Sequence, residues 1–297
     1  MDERSILTTT DLITVSPTLK SRKSIFSRIK IGFVSCILLA YFVSIAFPLL
    51  WMVISSFKET TAIFGDSWGL PKEWLFQNYK NAWNQGISKY FFNSIFVTCL
   101  TCLLTVLFSA FTAYSLSRFE FKGKTFFFLL FAAGLMFSPQ VSLIPLYQLI
   151  QDIGIYNTYW ALILPYVAYQ IPLSVLLFRA HFMSIDKELE ESAYLDGCTS
   201  MGVLFRVIIP LSMPIILTAT VLTSFFAWNE FMFSLVFIDD DALKTIPTGL
   251  LAFRGAVSTN WGVMLAGLTL SALPIILLFI FTQKYFIRGL ADGGVKG

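Results

Sequence analysis

Charge is scarce in this 297-residue chain. Asp, Glu, Lys and Arg make up 13% of it, about half of the roughly one quarter that a soluble domain carries. That shortage excludes an ordinary aqueous exterior. Histidine is almost missing: His181 stands alone, so neither a histidine metal cluster nor a histidine-based catalytic pair can be assembled. The four cysteines are Cys36, Cys99, Cys102 and Cys198. Three lie inside apolar runs, which excludes a secreted disulfide framework. Cys99 and Cys102 share a helical face in "CLTC", but further ligands are missing nearby, so they read as buried small hydrophobes and no metal site is expected. A phosphate loop is also absent. "KGKT" at 122–125 has Arg118 where the motif needs glycine, and no strand precedes it. Paired catalytic carboxylates and Ser/His/Asp groupings do not occur, so the chain is not expected to be an enzyme. A net charge of +3 gives no footprint for nucleic acid.

What is present is apolar: 56% hydrophobic residues, 31 Phe and a mean hydropathy of +0.73. Six runs reach the roughly 20 residues needed to cross hydrocarbon, at about 31–57, 91–116, 125–149, 159–182, 211–238 and 263–287. They are continuous rather than alternating, which excludes a membrane β-barrel. The first run exceeds a signal-peptide core of about 7–15 residues, so it is expected to remain as an anchor in the lipid bilayer. With the N-terminus inside, the inner segments hold 15 Lys and Arg against 6 outside. The positive-inside rule then places both termini in the cytoplasm. The expectation is an all-α, multi-pass protein of the cell membrane: a polar tail at 1–30, a membrane domain over 31–287 and a second tail at 288–297. Pro48, Pro139, Pro145, Pro165, Pro172, Pro214 and Pro274 lie in or beside the spans, where each bends a helix and frees a carbonyl. The outer loop at 58–90 carries Trp68, Trp74, Tyr79 and Trp83, suited to the interface or to a partner.

One segment breaks this pattern. "DKELEESAYLDGCTSMGVLFRVIIPLSMP", residues 186–214, places five acids in eleven positions: Asp186, Glu188, Glu190, Glu191 and Asp196. Asp186 suits a helix N-cap, and acids suit the first turn, where the dipole is positive. Gly197 suits a left-handed stop. Thr199 or Ser200 can cap a second helix whose Met201, Leu204, Phe205 and Ile208 form one greasy face, and Pro210 ends it. The acids are expected to face solvent. The product is a helix–turn–helix with a charged side and a greasy side, suited to a partner's groove.

"EESAYLDGCTSMGVLFRVIIP" resembles the EAA motif of ABC importer permeases: Glu-Ala-Ala, three residues, Gly, nine residues, Ile-x-Leu-Pro. Glu191, Ala193, Gly197 and Pro210 match; Ser192, Val207 and Ile209 depart conservatively. "YFFNSIFVT", "SPQVSLIPLY", "AWNEFMFSL" and the ending "QKYFIRGLADGGVKG" resemble the MalG-like carbohydrate permeases, from about residue 30 onward. The resemblance implies a six-span type I importer permease with a coupling helix in 186–209. It implies a second, MalF-like permease subunit, two ATPase subunits that bind the ATP and Mg, and an extracytoplasmic sugar-binding protein that delivers a sugar or oligosaccharide. It implies coupling to the ATPase through Glu190, Glu191, Ala193, Asp196, Gly197, Met201, Phe205 and Pro210. It further implies an ATPase contact at the C-terminal tail through Gly293, Gly294 and Lys296, a tail too glycine-rich to be a stable helix by itself.

"WNE" at Trp228, Asn229 and Glu230 lies well inside the fifth run. An ionisable group there must face the bundle interior or water. Trp228 could stack on a sugar ring, and Asn229 and Glu230 could bond hydroxyls; equally, Glu230 could cap or bridge helices near an outer gate. Other readings of the whole chain are an ion-coupled secondary transporter, for which only Glu230 offers an ion site, a purely structural assembly subunit, and an ABC permease for a glycerol-phosphate or polyol substrate.

Overall fold

The structure is a computed structural model. It describes residues 25–256 and 260–294, with side chains described within 30–256 and 260–283. The chain divides at Leu50 into two units. The first is largely helix α1, Ile25–Ser55. Its residues from Ile31 to Leu50 are exposed all round save Ala46. A helix that is hydrophobic on every side suits a hydrocarbon solvent.

The second unit begins at Trp51. It is helical throughout its regular structure: α2 Thr60–Gly65, α3 Gln77–Ala82, α4 Ser88–Arg118, α5 Lys124–Gly134, α6 Leu143–Asp152, α7 Trp160–Ser184, α8 Lys187–Leu195, α9 Ser200–Val203, α10 Ile209–Leu211, α11 Met213–Asn229, α12 Met232–Phe237, α13 Ile246–Ala256 and α14 Trp261–Gly294. No strand occurs among the described residues. Four helical segments are long and apolar enough to cross a bilayer unaided: 30–55, 77–118, 160–184 and 261–283. A fifth arises if 200–211 and 213–229, bent by 79° at Ser212, are one broken span.

Two of the six expected runs are therefore not single helices. The run at 125–149 splits into α5 and α6. Met136 N–H and Phe137 N–H bond Ala133 O and Gly134 O, a tightened last turn. Pro139 then offers no N–H and pushes Ser138 out of the helical region. The run at 211–238 splits at Glu230, whose ψ of 125° is extended. The segment between the fifth and sixth runs, 239–260, contains α13.

Helices packed in lipid gain little from hydrophobic burial and rely on close approach and polar ties. Helix α4 supplies both. Ser94, Thr98, Thr101, Thr105, Ser109 and Ala113 recur at three- or four-residue spacing and are buried, which brings α4 close to α7 and α11. Asn93 Nδ2 donates to Ala242 O at 2.8 Å and Lys244 O at 2.9 Å, while its Oδ1 accepts from Tyr159 Oη at 2.8 Å. Gly134 lets α5 rest on α7, because a Cβ there would meet Pro172 Cγ at 2.9 Å.

Helix α14 continues to Gly294. The expectation that the tail is no helix fails for 288–294. A long preformed helix propagates with one hydrogen bond per added residue, which offsets the roughly 1 kcal/mol that each glycine costs. Lys296 lies outside the described residues.

Candidate functional site

The segment from Ile185 to Ser212 is the densest collection of candidate residues. Helix α7 ends at Ser184, and Ile185 and Asp186 are both extended, with ψ of 129° and 130°. This two-residue joint turns the chain into α8. Asp186 holds the N-cap position without a side-chain cap bond, and Glu188 and Glu190 follow in the first turn. Helix α8 closes with Cys198 N–H on Ala193 O at 3.0 Å and Gly197 N–H on Tyr194 O at 3.0 Å. Gly197 has φ +83°, the left-handed stop that its position in the sequence requires. No atom lies within 4 Å of where its Cβ would be, so backbone conformation alone demands glycine. Thr199 Oγ1 then accepts from Gly202 N–H at 3.3 Å and caps α9.

After α9, Ile209 N–H reaches back five residues to Leu204 O. This wide turn fits the missing donor at Pro210. Pro210 was expected to end the helix, and it does not. It sits in α10 and is exposed, and the 79° break falls at Ser212.

The acids do not share one environment. Glu191 and Asp196 are exposed and Ala193 is partly buried against the core. Glu190 is 5% exposed and ion-pairs with the Arg118 guanidinium at the end of α4. The expectation that all five acids face solvent is corrected. Glu190 sits one position before Glu191, about 100° around the helix, and that rotation turns it to the inner face. The greasy face is corrected too. Leu204 and Ile208 are fully buried in the core formed with Phe178, Phe182 and Ala113, whereas Met201 and Phe205 are exposed. Phe205 lies edge-on to Phe111 of α4, with centroids 6.0 Å apart. The outward tip of the element is instead Leu189, Tyr194 and Leu195, the last 89% exposed.

The second candidate group lies at the α11–α12 break. Glu230 accepts from Tyr166 Oη at 2.7 Å, Phe233 N–H at 2.9 Å and Ser234 N–H at 3.3 Å. It caps α12 and bridges to α7. Trp228 is buried, and its Nε1 donates to Ser271 O at 3.2 Å. Its ring is therefore packed between helices, which removes it as a sugar-stacking surface in this conformation. Asn229 is exposed, and its Nδ2 donates to Phe225 O. Beyond α12, Asn157 Oδ1 accepts from Asp239 N–H and Asp240 N–H at 3.0 Å each. Tyr156 Oη donates to Asp239 at 2.8 Å. Burial, and then the Asp239 carboxylate, push the Tyr156 phenol up to about 12.

Sequence reasoning passed over Arg118, Asn93 and Tyr166. Arg118 was weighed only against a phosphate loop. Its signal was a basic residue in the last turn of a span, in a chain with an acidic run at 186–196. No cluster of three or more His, Cys, Asp or Glu that could hold a metal occurs among the described residues.

A polytopic helical bundle with broken spans and a bent two-helix element fits a membrane permease component. Residues 105–292 match the model of the family described as binding-protein-dependent transport system inner membrane component, and this chain belongs to that family. It is a non-catalytic, multi-pass subunit of an ABC transporter. It is 61% identical over 260 residues to the probable ABC transporter permease protein YurM of Bacillus subtilis, covering 88% of this chain and 87% of that protein. It is 36% identical to the trehalose/maltose transport system permease protein MalG of Thermococcus litoralis, covering 84% and 91%. It is 34% identical to the arabinooligosaccharides transport system permease protein AraQ of Halalkalibacterium halodurans, also covering 84% and 91%. A chain in the crystal structure of a bacterial ABC transporter that imports the acidic polysaccharide alginate superposes with a TM-score of 0.75 at 25% identity, covering 89% of this chain and 98% of that one.

Proposed function

We propose that this chain is one of two permease subunits of an ATP-driven importer for a sugar or oligosaccharide. Its partners are a second, MalF-like permease subunit, two ATPase subunits that bind ATP and Mg, and an extracytoplasmic sugar-binding protein. Both termini and the 185–212 element face the cytoplasm, and the loops at 58–90 and 239–260 face outward. The substrate class rests on relatives whose names record transport of trehalose/maltose and arabinooligosaccharides.

The observation that carries the coupling role is the bent element itself. Its tip presents Leu189, Glu191, Leu195 and Asp196 outward around a left-handed Gly197. An exposed apolar knob ringed by carboxylates suits a partly basic groove on an ATPase. ATP binding draws the ATPase pair together, this element follows, and the attached spans alternate access. The motion is driven only by differential affinity of ATP for the two states. The breaks at Ser138 and Glu230 lie beside the exposed Gln140 and Asn229, and discontinuous helices suit a substrate path.

The test is Glu191→Ala and Gly197→Val in the assembled transporter, with uptake and binding-protein-stimulated ATP hydrolysis measured together. Loss of both with the complex intact is expected. Normal uptake and normal hydrolysis in both variants would remove the coupling assignment.

A further inference from the structure

The Arg118–Glu190 pair is a buried charge pair that the docking role leaves unused. Both side chains are under a tenth exposed. The same guanidinium donates to Ile185 O at 3.1 Å. One arginine therefore joins three elements: the end of α4, the residue that ends α7, and α8. Arg179 of α7 donates to Leu116 O at 3.4 Å and lies over the Phe128 ring of α5, 4.2 Å from its centroid. Helices α4, α5 and α7 are thus fastened to one another at this end.

Helix α8 is the exception. It follows α7 through the extended pair Ile185–Asp186, where Ile185 N–H bonds back to Phe182 O and Asp186 O accepts from Leu189 N–H, so the α7 ladder ends and that of α8 begins within two residues. Only α8 carries both the tip acid Glu191 and the inward acid Glu190. Besides the ion pair, its polar tie to α4 is Tyr194 Oη to Tyr114 Oη at 3.3 Å, and Tyr194 also donates to Ser200 Oγ of α9 at 3.4 Å.

We infer that Arg118 and Glu190 are positioning residues for coupling: they bridge the Ile185–Asp186 joint, so that a push on α8 moves α4, α5 and α7 as one body instead of folding α8 at the joint. The chemistry suits that task. A buried ion pair gives little net stability compared with apolar packing of the same volume. It does supply direction, because one nitrogen, Nη2 of the planar Arg118 guanidinium, meets both the Glu190 carboxylate and Ile185 O. The inference rests on the reading of α8 as the ATPase contact.

The test uses the whole transporter in proteoliposomes, with recovery of the complex and uptake per ATP hydrolysed measured for each variant. Glu190→Gln and Arg118→Met are each expected to leave ATP hydrolysis running while uptake per ATP falls at least about fivefold, the low end of ordinary coupling energies. The exchange R118E/E190R is expected to recover much of that ratio. The double variant R118M/E190L removes both buried charges and keeps the site packed, so it assembles even where a single variant does not. It is expected to hydrolyse ATP with the same low yield. A wild-type ratio in the single variants or in R118M/E190L overturns the inference, as does a single-variant defect that the exchange leaves unrepaired. Glu191→Ala separates the two readings. If it loses uptake and stimulated hydrolysis while the Arg118 and Glu190 variants keep the wild-type uptake per ATP, only the bridging role fails; if it too is silent, the docking reading fails.

Discussion

Glu190 and Glu191 are adjacent in the chain, yet one is paired inside the protein and the other is open to a partner. Composition cannot separate them; the helical rotation of about 100° per residue does. Gly197 is a different case, since its role was legible from its place after an acidic amphipathic turn. Gly197→Ala forces an L side chain into the left-handed region at about 1–2 kcal/mol. The expected result is a complex that still forms but takes up less substrate per ATP, checked by co-purification and uptake. Glu230→Gln removes the carboxylate that accepts from two backbone N–H groups and Tyr166. A lowered melting point of the purified complex, corresponding to about 1–3 kcal/mol for lost charge-assisted bonds, is expected; an unchanged melting curve would show that the amide caps α12 equally well. At the loop end, the Tyr156 phenol is pushed up to about 12 by burial first and Asp239 second. Absorbance titration of Asp239→Asn should bring that midpoint down but not to 10, because burial persists.

At the scale of elements, periodicity located the bent element and misassigned its faces. Met201, Leu204, Phe205 and Ile208 satisfy a helical stripe, but the stripe divides into its two i, i+4 pairs: Leu204 and Ile208 turn inward, Met201 and Phe205 outward. This separates two substitutions of similar size. Leu204→Ala should cost about 2–5 kcal/mol of stability through a core cavity, read by thermal unfolding. Leu195→Ala should leave stability within about 0.5 kcal/mol and weaken recovery of the ATPase. Equal effects on stability would refute this division. The broken spans teach a related lesson. Pro139 was visible as a break signal, whereas the break at Glu230 contains no proline and arises because a carboxylate captures the Phe233 and Ser234 N–H groups.

For the whole molecule, lipid as solvent was legible from charge scarcity and six apolar runs, and membership of the transport family followed from residues 105–292. The chain is a non-catalytic permease component, and the assembly proposed above supplies the ATPase. Purification under mild detergent is expected to bring down a second permease and an ATPase, and addition of the loaded sugar-binding protein should raise ATP hydrolysis severalfold. Isolation of this chain as a self-sufficient, ion-coupled transporter would contradict the proposed assembly.

The sequence by itself determined the solvent, the helical class, the position of the bent element and its glycine stop. These depend on composition and on neighbours within a few residues, where propensity and periodicity act. Only the tertiary structure decided which acid is buried, which apolar residues form the core and which tip is left open. Those outcomes depend on Arg118 meeting Glu190 across 72 positions of chain, and on where α4 and α7 supply a pocket. A contact at that separation is set by the packing of helices, which local pattern does not encode.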